Sequence, residues 1–388
     1  MDFKTSDRLN NLPPYLFVEI DKAKRKAIAG GKDIIDLGIG DPDEGSPKEV
    51  IDSLCKALQD PKNHHYPLDQ GTSAFREKIK DWYNERFGVS LDPAKEVLAL
   101  IGSKEGISHM PLAFINPGEV SLVPDPCYPP YKGGTILAGG IVHAMPLREE
   151  NDFLPDLGSI KKDILKKARL LYINYPNNPT NAVCEKGFFE DVVKFAKKHN
   201  LIVAHDAAYS EVAFDGYKPG SFLKVDGAKD VGVEFHSVSK TCNMTGWRIG
   251  FVCGNEKIIS GIAKVKSNID SGVFTAIQVA GITALDIAEK HLGRMNKVYQ
   301  ERRDVLVDAL NAMGWKTRKP KATFYVWTRI PKPHKSSIDF AAMVLDKAGI
   351  VITPGIGMGD SGEGYVRMAL TVSRERMLEA VGRLKKIL

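Results

Sequence analysis

Seven short apolar runs, rich in β-branched residues, punctuate the middle of the chain. They are "EVLALIGS", "EVSLVPDP", "GIVHAMPL", "ARLLYINYP", "LIVAHDAAY", "VGVEFHSVS" and "RIGFVCGN". Most are near-continuous rather than alternating, as strands buried on both faces should be. Helical periodicity falls between many of them. In "KGFFEDVVKFAKKHN", Phe188, Phe189, Val192, Val193 and Ala196 form one apolar stripe, with lysines on the opposite face. The alternation predicts an α/β fold whose mostly parallel seven-stranded sheet is sandwiched by helices, from about Val97 to Gly254.

A proline-free helical stretch runs on from about Phe274 to Met313. Beyond it, "TFYVWTRI", "IDFAAMVLDKAGI", "GYVRMALTV" and "SRERMLEAVGRLKKIL" predict a smaller α+β domain. The expected division is an N-terminal arm (1–40) packing with the small domain, a large domain (41–280) and the small C-terminal domain (281–388). A chain of 388 residues has room for two domains. No internal repeat or low-complexity linker interrupts it.

Composition narrows the partners. The 54 basic residues face 48 acidic ones, and the short "KTRKPK" (Lys316 to Lys321) is no phosphate-tracking block, so no nucleic-acid partner is expected. No apolar run approaches the ~20 residues of a membrane span. The opening residues lack the apolar core of a secretory signal. Five scattered cysteines, never spaced C-x-x-C, disfavour a disulfide framework and a structural zinc site. These features predict a cytoplasmic protein with no metal.

Ligands of open α/β sheets bind outside the carboxyl ends of the strands. The residues just past each strand are therefore the informative ones. "VLALIG" leads into Ser103-Lys104-Glu105-Gly106, and "SLVPD" into Pro126-Cys127-Tyr128. "LLYINY" leads into Pro176-Asn177-Asn178-Pro179-Thr180, "LIVAH" into Asp206 and Tyr209, and "VEFHSV" into Ser239 and Lys240. "GSKEG" offers a helix N-terminus to an anion, and Ser237, Ser239 and Arg248 add hydroxyls and a guanidinium fork suited to phosphate. A phosphate site beside a lysine suggests pyridoxal phosphate, which needs a Schiff-base lysine, a carboxylate for its pyridinium nitrogen and donors for its ring hydroxyl. Lys240 can supply the amine, Asp206 the carboxylate, Asn178 and Tyr209 the donors, and Tyr128 a stacking ring. Each residue alone has a plainer reading: a loop lysine, a helix-capping aspartate, a core tyrosine. Their conjunction on successive strand ends argues against those readings.

At these residues the chain resembles the class I/II aminotransferases, fold type I pyridoxal-phosphate enzymes. The likeness runs in order through "DLGIGDPD", "YPLDQGTSAFREKI", "GSKEG", "PDPCYPPY", "NYPNNPT", "HDAAYSEVAFDG", "SVSKTCNMTGWRIG" and "YVRMALTVS". It implies that Lys240 forms the Schiff base and moves the proton, and that Asp206 pairs with the ring nitrogen. Asn178 and Tyr209 would bind the ring hydroxyl. Ser103, the backbone at Lys104, Ser237, Ser239 and Arg248 would hold the phosphate. Tyr66 would reach the phosphate of a neighbouring subunit, which implies a homodimer with shared sites. Arg367, assisted by the backbone at Gly40, would grip the α-carboxylate of an amino-acid or 2-oxo-acid substrate.

"LPPYLFVEID", "GIGDPD" and "GEGYVRMALTVS" look most like family members acting on LL-2,6-diaminopimelate. For that substrate Lys104 would meet the distal carboxylate, Asp69 of the neighbouring subunit the distal ammonium, and Tyr15 would close over the site, with Tyr128 also in contact. Cys127, Asn181 and Met358 depart from common family residues. Asn181 tolerates positive φ well enough to keep its turn. Transamination of aspartate, alanine or an aromatic amino acid stays open as an alternative. So does a pyridoxal-phosphate β-lyase. A pyridoxal-phosphate sensor fused to a DNA-binding module is disfavoured, because the first ~40 residues show no helix-turn-helix pattern.

Overall fold

The computed structural model describes residues 3–13, 16–67 and 69–388. The seven apolar runs become seven strands of one sheet: β1 (Val97–Leu100), β2 (Val120–Asp125), β3 (Ile141–Pro146), β4 (Ala168–Ile173), β5 (Ile202–Asp206), β6 (Gly232–Ser237) and β7 (Gly250–Gly254). Their spatial order is β1-β7-β6-β5-β4-β2-β3. Strand β7 runs antiparallel to both neighbours, pairing Val97 with Cys253 and Ser237 with Gly250, and the other pairs are parallel.

Near-continuous hydrophobicity has a visible cause. Leu122, Leu171 and Phe251 enter a core on one face, while their chain neighbours Val123, Tyr172 and Val252 enter a core on the other. Strand β3 is the exception. It lies at the sheet edge with one strand neighbour, and much of its surface stays exposed. Helix α1 (Ser103–Phe114) and α3 (Glu256–Lys266) cover one face, and α2 (Lys186–His199) packs Phe189, Val192, Val193 and Ala196 on the other. Helix α2 ends at Asn200, whose left-handed φ of 52° lets the chain turn into β5.

The proline-free stretch is one helix, α4 (Thr275–Ala312), of 38 residues. Ala280, Ala284, Leu285, Ala288 and Leu292 belong to the core of the large sheet. Met295, Tyr299, Leu306, Val307 and Leu310 belong to a second core. That core is built on a three-stranded antiparallel sheet, in which β10 (Tyr365–Ala369) lies between β8 (Tyr325–Arg329) and β9 (Thr353–Pro354). Helices α5 (Ser337–Ala348) and α6 (Arg374–Leu384) pack Phe340, Val344, Met377 and Leu384 against it. The N-terminal segment joins this second core. Ile35 pairs in parallel with Ile350, and Asp33 accepts from Arg376 over 2.8 Å. Among the described residues no helix is long and apolar enough to cross a membrane.

Candidate active site

One cavity of about 370 Å³ opens at the carboxyl ends of the large sheet's parallel strands, where β8 and β10 approach it. Its walls include Gly40, Ser103, Lys104, Tyr128, Asn178, Asp206, Tyr209, Ser237, Ser239, Lys240, Arg248 and Arg367, which are twelve of the fifteen residues anticipated from sequence.

One end of the cavity is an anion cradle. Helix α1 starts directly after β1, and its cap, Gly102, has φ of 76° and offers no side chain to the first turn. A Cβ there would lie 2.4 Å from Arg248 Nη2, so glycine is what lets the guanidinium lie across the helix start. Arg248 itself has φ of 55°, and its Nη1 donates to Thr245 O over 2.7 Å. Ser237 ends β6 and caps the short helix Val238–Thr241, accepting from Ser239 N over 3.3 Å. Hydroxyls, a helix N-terminus and a guanidinium thus converge, a donor set chemically suited to a phosphate.

Lys240 lies on that short helix, just beyond the strand. Its Nζ donates to Gly40 O over 2.8 Å. Burial lowers its pKa to about 8, with the Arg367 and Arg248 cations pushing the same way against the pull of Asp41. An amine in this state is a usable nucleophile and base near neutrality. Asp206 ends β5, buried, with Oδ2 accepting from Tyr131 over 2.7 Å and Oδ1 from Ala208 N over 3.2 Å. The second contact is the local capping role that a plain reading of Asp206 allows. Burial raises the Asp206 pKa, against the opposing effects of Tyr131, Ala208, His205 and His236. A carboxylate held in that setting favours a cationic ring nitrogen.

Arg367 comes from β10, buried among aromatic residues. Its Nη1 donates to Asn178 Oδ1 and its Nη2 to Gly38 O, both over 2.8 Å. Burial pushes the Tyr209 hydroxyl pKa well above its usual value, and that hydroxyl lies 3.0 Å from Tyr325 Oη. An amine, a buried carboxylate, an amide and a phenol, and a cluster of anion donors therefore share one cavity. Together they fit a phosphorylated pyridine aldehyde, with Arg367 left to take a substrate carboxylate.

Tyr66 and Asp69 stand outside the cavity wall. Tyr66 is 90% exposed, and Asp69 lines a separate cleft with Arg76 and Ser267. Tyr15 lies outside the described residues. Asn181 has φ of 53°, the turn geometry anticipated for it. Sequence reasoning missed Tyr131, Tyr325 and Asn174. Asn174 donates to Asp206 O over 2.6 Å and accepts from Asn178 N over 2.8 Å, linking the two strand ends. Asn174 did carry a signal, as a polar group directly past the end of a buried strand.

Residues 32–384 match the family model for aminotransferase class I and II. Over 98% of the chain and 97% of the relative, 55% of residues are identical to LL-diaminopimelate aminotransferase from Moorella thermoacetica. Among solved structures, apo-BacF from Bacillus subtilis superposes with a TM-score of 0.96 and 38% identity, covering 100% of this chain and 98% of that one. A single mutant of Thermus thermophilus aspartate aminotransferase gives a TM-score of 0.93 and 26% identity, with both chains fully covered.

Proposed function

Because the chain belongs to the class I and II aminotransferases, we propose that it transaminates between LL-2,6-diaminopimelate and 2-oxoglutarate. In the biosynthetic direction, towards lysine, glutamate would aminate tetrahydrodipicolinate. The cofactor is pyridoxal 5'-phosphate. The observation that carries the reading is the convergence of Lys240, Asp206 and Arg367 on one cavity.

When bound, pyridoxal phosphate supplies an aldehyde that condenses with amines and a protonated ring that accepts the electron pair left at the α-carbon. The chain's own residues do the rest. Ser103, Ser237, Ser239, Arg248 and the backbone at Lys104 hold the phosphate. Asp206 holds the ring nitrogen protonated. Asn178 and Tyr209 hold the ring oxygen. Arg367 takes the substrate α-carboxylate with a planar fork, which fixes the α-carbon. Lys240, whose burial favours the neutral amine, would take up the substrate's α proton at Nζ and hold it for return.

Lys104 lines the same cavity and is assigned the distal carboxylate. Asp69 is assigned the distal ammonium and Tyr66 the phosphate, both from the neighbouring subunit of a homodimer. Their positions outside the cavity of their own subunit support that sharing. The same reading takes 41–280 as the cofactor-binding domain and 281–388 as the small domain with the 1–40 arm, in a cytoplasmic enzyme. Two separate cores support a two-domain reading, with the change of core along α4 falling between Leu292 and Met295.

The test is initial-rate kinetics with 2-oxoglutarate against LL-diaminopimelate, its meso isomer, aspartate, alanine and phenylalanine, with the reverse reaction run from glutamate. The LL isomer should have the highest kcat/KM of the donors. A larger kcat/KM for aspartate, alanine or phenylalanine would remove the substrate assignment and leave the transamination chemistry.

A further inference from the structure

Tyr325 opens β8 and is buried in the wall of the cavity. It touches three working parts at once. Its ring carries the Arg367 guanidinium, whose Cζ lies 4.1 Å from the ring centroid. The strand register explains the contact. Ala369 lies opposite Tyr325 in the antiparallel pair, so Arg367 is the diagonal neighbour, within reach of an aromatic ring. Its hydroxyl oxygen lies 3.0 Å from Tyr209 Oη. The same hydroxyl presses on Gly40: a Cβ built there would lie 1.9 Å from Tyr325 Oη. Gly40 O is the group that receives Lys240 Nζ.

We infer that Tyr325 is a positioning residue with two separable tasks: its ring face sets the plane of Arg367, and its hydroxyl sets the direction of the Tyr209 proton. The inference rests on the proposed roles of Arg367 at the α-carboxylate and Tyr209 at the cofactor's ring oxygen. The first task comes from geometry. A flat cation lying over an aromatic face is attracted to it and held parallel to it, and the attraction is larger when both groups are shielded from water. The Arg367 fork then has one plane in which to meet a carboxylate. The second task comes from proton counting. A phenol has one proton. If Tyr209 gives its proton to the cofactor's ring oxygen, the Tyr209 oxygen must be the acceptor of the tyrosine pair and Tyr325 the donor. That direction polarises Tyr209 and strengthens its own donation.

Two variants separate the tasks. Y325F keeps the ring and removes the hydroxyl. The pH midpoint of the holoenzyme's visible absorbance change should move upward, because Tyr209 becomes a weaker donor to the ring oxygen. KM for the amino acid should stay within about twofold. Y325M removes the hydroxyl and the aromatic face together, so it is read against Y325F, with Y325L as a second variant should the first not fold. KM for the amino acid should rise about thirtyfold above that of Y325F, the loss expected for a desolvated cation–π contact. The rate with propylamine, which lacks a carboxylate, should match that of Y325F, which has lost the same hydroxyl. An unmoved midpoint in Y325F overturns the hydroxyl task. An amino-acid KM in Y325M and Y325L no higher than in Y325F, or an equal further loss with propylamine, overturns the ring task. R367A is the control for the underlying roles. If it fails to raise amino-acid KM relative to propylamine, the carboxylate role of Arg367 falls, whatever Tyr325 does.

Discussion

Tyr131 donates its hydroxyl to Asp206 Oδ2 over 2.7 Å, and its ring stacks on Tyr172 with centroids 4.9 Å apart and planes 13° from parallel. Tyr172 is held in turn by donation to Ile107 O over 3.0 Å. The carboxylate at the cavity floor is thus braced by a buried aromatic pair. Removing only the hydroxyl, in Tyr131→Phe, deletes one hydrogen bond to a charged acceptor, worth roughly 1.5–3 kcal/mol. We expect kcat/KM to fall about tenfold or somewhat more. Asp206→Asn should fall much further, since it removes the charge. Steady-state kinetics on both variants checks the order. Equal losses would mean that Tyr131 matters only through the fold.

The depressed pKa of Lys240 has a pH signature in the apoprotein. Only the neutral amine attacks an aldehyde, so cofactor attachment should accelerate as pH rises through about 8, read as growth of visible absorbance after mixing. Stability follows the same group. Its ordinary pKa of 10.5 is lowered in the fold, so the unfolded chain binds the extra proton between those two values. This contribution is therefore present above 10.5 and lost as pH falls through about 8. Lys240→Met should flatten that part of the apoprotein's stability–pH curve. An attachment rate that is flat between pH 7 and 9 would contradict the shift.

The proposed sharing of sites between two subunits can be tested by complementation. Lys240→Ala and Tyr66→Ala homodimers should both be nearly inactive. In a mixed dimer one site carries both changes and the other carries neither. Co-expressed subunits should therefore recover activity, approaching half the native value per mixed dimer. Purified heterodimers with no gain over either parent would place Tyr66 in its own subunit's site or in none.

Asp69→Ala should weaken LL-diaminopimelate far more than glutamate, because only the former has a distal ammonium. A KM ratio for the two substrates unchanged by the mutation would remove Asp69 from specificity.

Glu234 is wholly buried on β6 and accepts from Tyr83, His205, His236, Ser221 and the Phe222 amide. Burial alone would raise its pKa, but hydrogen bonds from the two histidines hold it far below the usual carboxylate range. Glu234→Ala leaves those donors without their acceptor. We expect a loss of about 3–5 kcal/mol in stability, measured by denaturant unfolding, with donor KM little changed. A near-native unfolding midpoint would show that the network is dispensable.

The large sheet was legible in the sequence because its strands are buried on both faces, which leaves a long apolar imprint. Lys240, Asp206 and Asn178 were legible because they sit at or just past the ends of such strands. Tyr131 and Tyr325 were not. "PPY" and "TFYVWT" read as core aromatics, and they are: their additional work depends on Asp206 and Arg367, which lie 75 and 42 residues away in sequence. Glu234 left a partial trace as the lone charge in "VGVEF". A buried charge demands partners, but most of those partners come from other segments that no local pattern connects.

Helix α4 fixes more than it covers. Its backbone ladder runs unbroken from the core beneath the large sheet, at Ala280 to Leu292, into the second core, at Met295 to Leu310. The angle between the sheet that bears Lys240 and the strand that bears Arg367 is therefore a matter of helical phase. Each residue contributes about 100° of rotation and ~1.5 Å of rise. Deleting one residue near Gly293 would turn Tyr299 off Phe324, whose ring it now meets, while leaving Ala284 in place. Lys240 and Arg367 are thus indexed to each other by residue count along one helix.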